Sequence, residues 1–408
     1  RDSARPAMPA FATRRSGRPT WAEIDLDRIA GNVAATMSIV GPDVRVMAVV
    51  KADAYGHGAS WVGRAAIGAG AAELAVATVD EGTELRRAGL TAPILVLGPI
   101  SPGEVETALD QRLTLTIASP NFLRLVANVA TSGNRGPATI HLKLDSGMRR
   151  FGATEGDFVA TARLAADLPS LRLGGVYTHL ADADDLDSHF VAEQVATFTR
   201  ALHRLTEDAV PFGTVHVANS AGIFRSLDVP VEMVRLGVAL YGIAPAAGQP
   251  LPLGYAPAMS IRSTVSRLVP LAAGDTVGYG RTYQAETPGL AALVPIGYAD
   301  GFPRALSNVG EMAIGGTRVP VLGRVSMDQT VVGLPPGGRT TVGTVVDVVG
   351  TGERGEPTFA SVAELLGTIA YELVTGISRR VPRDYLAGGR VVGSRTLAGD
   401  QERKGLGT

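Results

Sequence analysis

The sequence predicts an α/β chain: a (β/α)8 TIM-type barrel followed by a mainly antiparallel β domain. Three observations carry this. Eight short apolar runs recur between residues 44 and 242 with helical patterns between them, the alternation that builds a parallel sheet and closes it at eight units. Polar residues collect just past these runs, where barrels of this kind carry their sites. Beyond a proline-rich segment, residues 244–257, short β-like runs alternate with Gly/Pro turns, as in an antiparallel β domain.

Taken in order, residues 1–20 are rich in arginine, proline and small side chains and contain no apolar segment of signal-peptide length, so a disordered extension is expected. Residues 21–250 are assigned to the barrel. From Trp21, Ile24, Leu26, Ile29, Val33 and Met37 fall at helical spacing. The β-branched run Val44, Val46, Val49 and Val50 then predicts a buried strand ending at Lys51. The remaining runs are ELAVAT (73–78), PILVLG (93–98), LTLTI (113–117), TIHLKLDS (139–146), LRLGGVYTH (171–179), TVHVANS (214–220) and MVRLGVALYG (233–242). Residues 251–387 form the second domain, interrupted by one helix from Ser361, where Ser361 and Glu364 stand at capping-box spacing. Residues 388–408, rich in Gly, Arg and Lys, are expected to be a tail.

Composition narrows the function. With 45% hydrophobic residues, 19% charged residues and a net charge of −1, there is material for a core and no electrostatic reason to expect nucleic acid or an anionic membrane as partner. The complete lack of cysteine excludes disulfides, thiolate metal sites and cysteine nucleophiles. No run approaches the 18 apolar residues of a membrane span, and with no signal-like segment the expected compartment is the cytoplasm. The six histidines show no HExxH spacing, and no glycine cluster forms a GxGxxG or Walker pattern, so no metal is expected.

Chemistry-bearing residues follow the strand ends. Lys51 comes after the first run, Asp145 and Arg150 flank the fifth exit, His179 follows the sixth, Asn219 and Ser220 the seventh, while Arg235 lies inside the eighth. A lysine at a barrel rim suits Schiff-base chemistry, because burial and nearby positive charge favour its neutral, nucleophilic form. On its own it is equally a solvated lysine at a strand end.

The peptide AVVKADAYGHG (48–58) closely resembles the motif by which alanine racemases hold pyridoxal 5′-phosphate (PLP). KLDSGMRRFG, GVYTHLADAD, VANSAG, VRLGVALYGIAP, VGYGRTY, IGYADG and GRVSMDQ resemble that family in the same order, over about residues 20 to 385. The resemblance implies that Lys51 binds PLP covalently and acts as one of two acid/base groups, with Tyr279 as the other on the opposite face. It implies a PLP phosphate site of Tyr55, Asn219, Ser220 and the amides of Gly237 and Val238, with Arg235 facing the pyridine nitrogen. A guanidinium stays protonated, so the ring nitrogen it donates to stays unprotonated and is a weaker electron sink.

The same resemblance implies that His179 links the tyrosine to Arg235, and that Arg150 meets the cofactor's phenolic oxygen and the substrate carboxylate. Lys143 stands where many relatives carry a carbamylated lysine. Met327 and Asp328 would lie near the substrate carboxylate and Tyr298 at a narrow entrance. The implied assembly is a homodimer whose sites each take Tyr279 from the other chain, and the implied reaction interconverts L- and D-alanine for peptidoglycan. Three positions depart from the pattern: Arg379 replaces a phosphate-binding tyrosine, Asp53 a common asparagine and Ser326 a common cysteine.

The rivals are separable in part. A non-catalytic PLP-carrying barrel would lack the second domain, and a decarboxylase of this fold would pair the pyridine nitrogen with an acid rather than with Arg235. A serine or broad-specificity racemase is not distinguished by sequence.

Overall fold

A computed structural model describes residues 17–402 apart from Ser226, Ala247 and Gly248. Most of the expected N-terminal extension, residues 1–16, and residues 403–408 of the expected tail lie outside the described residues. The chain divides into two compact units, Leu26–Pro257 and a second that joins strand β1 (Trp21–Asp25) to the chain from Ala258 onward.

The first unit contains eight parallel strands: β2 (Arg45–Val49), β3 (Glu73–Val76), β4 (Ile94–Val96), β5 (Thr114–Ile117), β6 (Ala138–Lys143), β7 (Leu171–Tyr177), β8 (Thr214–His216) and β9 (Met233–Leu236). They run in the order β8-β7-β6-β5-β4-β3-β2-β9, each corresponding to one of the eight apolar runs. Between β8 and β9 the seam is tied by Glu232 N to Val215 O at 3.0 Å and Arg235 N to Ala218 O at 2.9 Å. Nearly every residue of β4, β5 and β9 is buried, as expected for a sheet covered on both faces.

Helices Ala59–Gly68, Val79–Arg87, Val105–Asp110, Pro120–Ser132, Glu155–Ala166 and Phe190–Glu207 follow β2 to β7. Their starts are written locally: Thr78 and Glu81 form a reciprocal capping box, Ser119 accepts from Phe122 N ahead of Pro120, and Thr154 accepts from Asp157 N. Among the described residues, β8 and β9 are followed only by short 3-10 turns, Gly222–Phe224 and Val238–Tyr241. Helix Leu26–Val40 covers the latter, with Asn32 Nδ2 donating to Leu240 O at 2.9 Å.

Trp21–Asp25, expected at the start of a helix, is a strand of the other unit. Ala22 and Ile24 are buried and their neighbours are not, and the segment pairs antiparallel with β10 (Met259–Thr264). The helical period begins at Leu26, so tertiary pairing has overridden the pattern at its first residues. The run MSIRSTVSRLV is two strands in different sheets, β10 and β11 (Arg267–Leu271).

The remaining strands are β12 (Thr276–Val277), β13 (Tyr283–Gln284), β14 (Gly289–Val294), β15 (Glu311–Ile314), β16 (Thr317–Pro320), β17 (Thr330–Leu334), β18 (Val345–Val349), β19 (Arg383–Ala387), β20 (Arg390–Thr396) and β21 (Gly399–Glu402). They form an eight-stranded sheet, β16-β15-β18-β10-β1-β19-β20-β21, with β11-β14-β17 and β12-β13 beside it in the chain. All pairings are antiparallel except β1 with β19.

Two other expectations change here. β20 and β21 place residues 390–402, expected as tail, in this sheet, because Gly388 and Gly389 supply the positive φ of a two-residue hairpin ahead of Val391 and Val392. The helix expected from Ser361 begins earlier. Thr358 caps Phe359–Leu366 with Ser361 as its reciprocal partner, and Gly367, in the left-handed region, ends it before a second helix, Ala370–Thr375.

Candidate active site

The residues expected at the barrel rim do converge in the first unit, and a left-handed turn explains how. After β2 the chain carries Ala52, Asp53, Ala54 and Tyr55 at φ of 51–55°. Each such residue costs about 1–2 kcal/mol relative to a right-handed one, so the turn must be held from outside. Glu81 does this: one carboxylate oxygen accepts from Ala52 N at 2.7 Å and the other from Ala77 N at 2.7 Å. Asp53, given no role from sequence, accepts from Ala59 N at 3.0 Å and so anchors the following helix.

The turn brings Lys51 and Tyr55 to the sheet end. Burial first, and the Arg150 guanidinium second, pull the Lys51 ammonium below its usual pKa, with Glu81 opposing. A more accessible neutral amine results. Tyr55 is buried against Tyr241, ring centroids 4.8 Å apart, and burial raises its hydroxyl to about 12, so it stays a donor. Tyr241 in turn donates to Val49 O at 2.8 Å, tying this corner to β2.

A small cradle forms opposite. Ser220 Oγ accepts from the amides of Gly237 at 2.9 Å and Ala239 at 3.2 Å, which leaves its own O–H to donate elsewhere. A Cβ on Gly237 would stand 3.4 Å from both Ser220 Oγ and Tyr55 Oη, filling the space they border. The Gly237 amide is engaged by Ser220 rather than left for a ligand, while Val238 begins the next 3-10 turn. Asn219 is used locally, accepting from Gly222 N at 2.9 Å and donating to Leu180 O at 3.2 Å.

Arg235 sits in β9 beside Met47 of β2 and is 2% exposed. Its Nη1 donates to His216 O at 2.9 Å and His216 Nδ1 at 3.0 Å; Nη2 donates to Thr178 O, Val217 O and, at 3.3 Å, His179 Nδ1. Its guanidinium lies 5.2 Å from the Tyr177 ring centroid. Burial lowers its pKa to about 10, so the charge persists at neutral pH. Glu232, three residues earlier in the chain, does not pair with it but accepts from Val215 N at 2.8 Å. Among the described residues no acceptor takes Nε–H, the remaining donor of the fork.

Because an arginine can only donate, His179 Nδ1 and His216 Nδ1 are acceptors and each neutral ring carries its proton on Nε2. Burial, then Arg235, holds both histidines well below the usual imidazole pKa. Lys143, 6% exposed at the end of β6, lies 5.1 Å from the Phe151 ring centroid, and burial followed by Arg235 and Arg150 lowers it to about 8. Arg150 is exposed in a loop closed by Asp145, which accepts from Gly147 N at 2.9 Å and Arg149 N at 3.0 Å.

The other expected residues belong to the second unit. Tyr279, Met327 and Tyr298 are 73%, 53% and 42% exposed, and Asp328 is paired with Arg380. Tyr298 and Met327 sit on braced loops: Tyr298 N donates to Ser326 O and Ala299 N to Met327 O, each at 3.0 Å. A Cβ on Gly297 would stand 2.2 Å from Ser326 O. Sequence reasoning missed Glu81, His216 and Tyr177. The TVDE peptide, at capping-box spacing, was the available signal for the first; for the others periodicity offered none.

Among the described residues no group of His, Asp or Glu side chains is arranged to hold a metal ion, and no helix is long and apolar enough to cross a membrane. The family model "Alanine racemase, N-terminal domain" matches residues 24–245 and "Alanine racemase, C-terminal domain" residues 258–385. Alanine racemase from Symbiobacterium thermophilum is 41% identical over 368 residues, covering 90% of this chain and 97% of the relative. That from Geobacillus stearothermophilus is 40% identical, covering 94% and 98%. The crystal structure of alanine racemase from Bacillus anthracis with bound L-Ala-P superposes with a TM-score of 0.88 at 37% identity, covering 94% of this chain and 99% of that one. With both halves matched in order and a rim built around Lys51 and Arg235, the chain belongs to the alanine racemase family and is an isomerase.

Proposed function

We propose that the chain interconverts L- and D-alanine using PLP held at the rim of the first unit, supplying D-alanine for peptidoglycan. One observation carries the reading most directly: a fully buried arginine without a carboxylate partner, its Nε–H unclaimed, on the strand paired with the one that leads into a lysine of lowered pKa. The residues fit the cofactor. Ser220 and Tyr55 border a glycine-lined space suited to a phosphate, with Val238 N as a further donor, Gly237 acting through Ser220 and Asn219 shaping the turn. Arg235 supplies the donor for the pyridine nitrogen and Lys51 the amine for covalent attachment.

When bound, PLP makes the substrate Cα proton removable by delocalising the electron pair left behind. Lys51 then takes or gives that proton on one face, its lowered pKa placing it nearer neutral pH. Inversion requires a second group on the other face, the role assigned to Tyr279. Its 73% exposure suits a side chain that finishes a site on another copy of the chain, so the reading includes a homodimer. His179, with its proton on Nε2, has a donor to offer that phenol.

Arg150 is assigned to the substrate carboxylate, with Met327 and Asp328, and Tyr298 to the entrance. Lys143, lowered to about 8, has a fraction of neutral amine at pH 7 and so suits CO2 addition; the resulting anion would orient Arg150. The test is an assay of the purified, PLP-loaded protein on both forms of alanine, serine and larger amino acids. Alanine is expected to interconvert fastest. Faster serine turnover would replace the substrate assignment, and PLP binding with no racemisation of any amino acid would favour the carrier.

A further inference from the structure

The strand starts of the first unit enclose a second polar site, at the end of the sheet away from Lys51. Here a cavity of about 830 Å³ is lined by Arg45, Glu73, Arg86, Arg112, Arg135 and Arg172, among others, with His141 also in its wall. That volume is in the range of small-molecule sites. Two of the arginines are committed: Arg86 to the carbonyls of Leu90, Ala92, Gln111 and Arg112, and Arg135 to Asp110 and Glu106. Arg45 donates to the Thr214 hydroxyl and reaches Glu73 only at 3.4 Å, Arg172 bonds the Thr139 hydroxyl, and Arg112 has no carboxylate partner among the described residues.

His141 marks this as more than a ring of solvated arginines. It is 3% exposed, yet its Nε2 meets no acceptor among the described residues. Its protonation follows from the far end of a hydrogen-bonded line. Arg235 Nη1 donates to His216 Nδ1 at 3.0 Å, so His216 is protonated on Nε2 and donates to His141 Nδ1, also at 3.0 Å. The proton of His141 is therefore on Nε2, the edge left over for the cavity.

The backbone makes room for this ring. The β6–β7 register shifts between Ile140 and His141, and Gly174 and Gly175 lie against the imidazole. A Cβ on Gly175 would stand 2.8 Å from His141 Cε1, and one on Gly174 3.3 Å from Nε2. A bulge of this kind re-aims a side chain.

We propose that the cavity at the strand starts binds a small polyanion, a molecule with two or more phosphate or carboxylate groups, through Arg112, Arg172, Arg45 and the Nε2–H of His141. Guanidinium forks match both anion types. Arg172 is the second residue of β7 and Arg112 precedes β5, so their backbones stand two strands, about 10 Å, apart. Three guanidiniums spread around a cavity of about 830 Å³ leave charge and room for more than one anionic group. An acceptor on His141 Nε2–H would also polarise the line that ends at Arg235.

Titration calorimetry on the PLP-saturated full chain, at constant ionic strength, tests the site with inorganic tripolyphosphate and citrate against inorganic phosphate. Tripolyphosphate or citrate is expected to bind once per chain at least about ten-fold tighter than phosphate, and whichever is tighter identifies the preferred group. In Arg112→Ala/Arg172→Ala protein the advantage should disappear with racemisation and thermal unfolding unchanged. The proposal is overturned if neither polyanion gives saturable binding, or if the double variant binds them as before. Racemisation plays no part in the binding readout, so its failure leaves this result standing.

Discussion

The two units carry their expected site residues in opposite ways. In the first, position is fixed through side chains: Arg235 makes bonds to three carbonyls and two imidazoles, Ser220 clasps two amides, and Glu81 holds the strained turn after Lys51. In the second, loop backbones are braced and the side chains are displayed, Tyr279 at 73% exposure. The contrast separates two kinds of construction. One half of the proposed chemistry is preorganised by burial; the other is displayed at the surface, where another surface would have to complete it.

The sharpest way to break this contrast is to remove one acid/base group from each unit. Lys51→Ala should abolish the visible absorbance of lysine-bound PLP and lower racemisation by about 10⁴-fold or more. Tyr279→Phe should retain that absorbance, lose about 10²–10⁴-fold activity, and affect the two directions unequally. Mixing the two inactive proteins under conditions of subunit exchange should restore part of the activity, because some sites then combine an intact lysine and an intact tyrosine. No recovery despite exchange shown by tagged subunits would mean that each site is completed within one chain.

The same contrast shows what the sequence made legible. The barrel strands were readable because burial on both faces leaves continuous apolar runs, and the exits followed from their ends. Trp21–Asp25 was misread because a five-residue strand beside a helix shares its first apolar positions, and only pairing with Met259–Thr264 decides between them. The strands after Arg390 were read as a tail because solvent-facing edge strands carry charges and glycines just as a tail does. Lys51 and Arg235 were singled out by their places on the strands and given roles by motif resemblance, whereas the His216 and Glu81 contacts depend on neighbours at sequence separations of 19 and 29 that no local pattern encodes.

A smaller effect tests whether the preorganised half depends on the strained turn. Glu81→Ala leaves Ala52 N and Ala77 N without their acceptor, and should cost about 2 kcal/mol in denaturant unfolding. It also removes the one carboxylate that raises the Lys51 pKa, which should therefore fall further. Glu81→Gln separates the effects: an amide oxygen can still accept one of the bonds, but the charge is gone. A pH titration of the lysine-bound cofactor's absorbance should shift downward in both variants, with stability recovered mainly in Gln. Equal stability in all three proteins would show that the turn is held by other contacts.

The smallest effect concerns Lys143 and is one of pH. In the folded chain its proton is lost near pH 8, whereas an unfolded lysine holds its proton to about 10.5. Between those values the unfolded state binds more protons, so this lysine makes stability rise with pH; below about 8 both states are charged and the burial penalty is present in full. Lys143→Met should abolish that rise, measured as the denaturant midpoint from pH 7 to 10 in CO2-free buffer. Adding bicarbonate distinguishes the two states of the amine. If CO2 adds to Lys143, the carbamate is anionic beside the fields of Arg150 and Arg235, so the unmodified protein should gain stability at neutral pH while the Met variant does not respond. Identical responses of both proteins to bicarbonate would remove Lys143 as the site of addition and leave it a buried lysine that weakens the fold below pH 8.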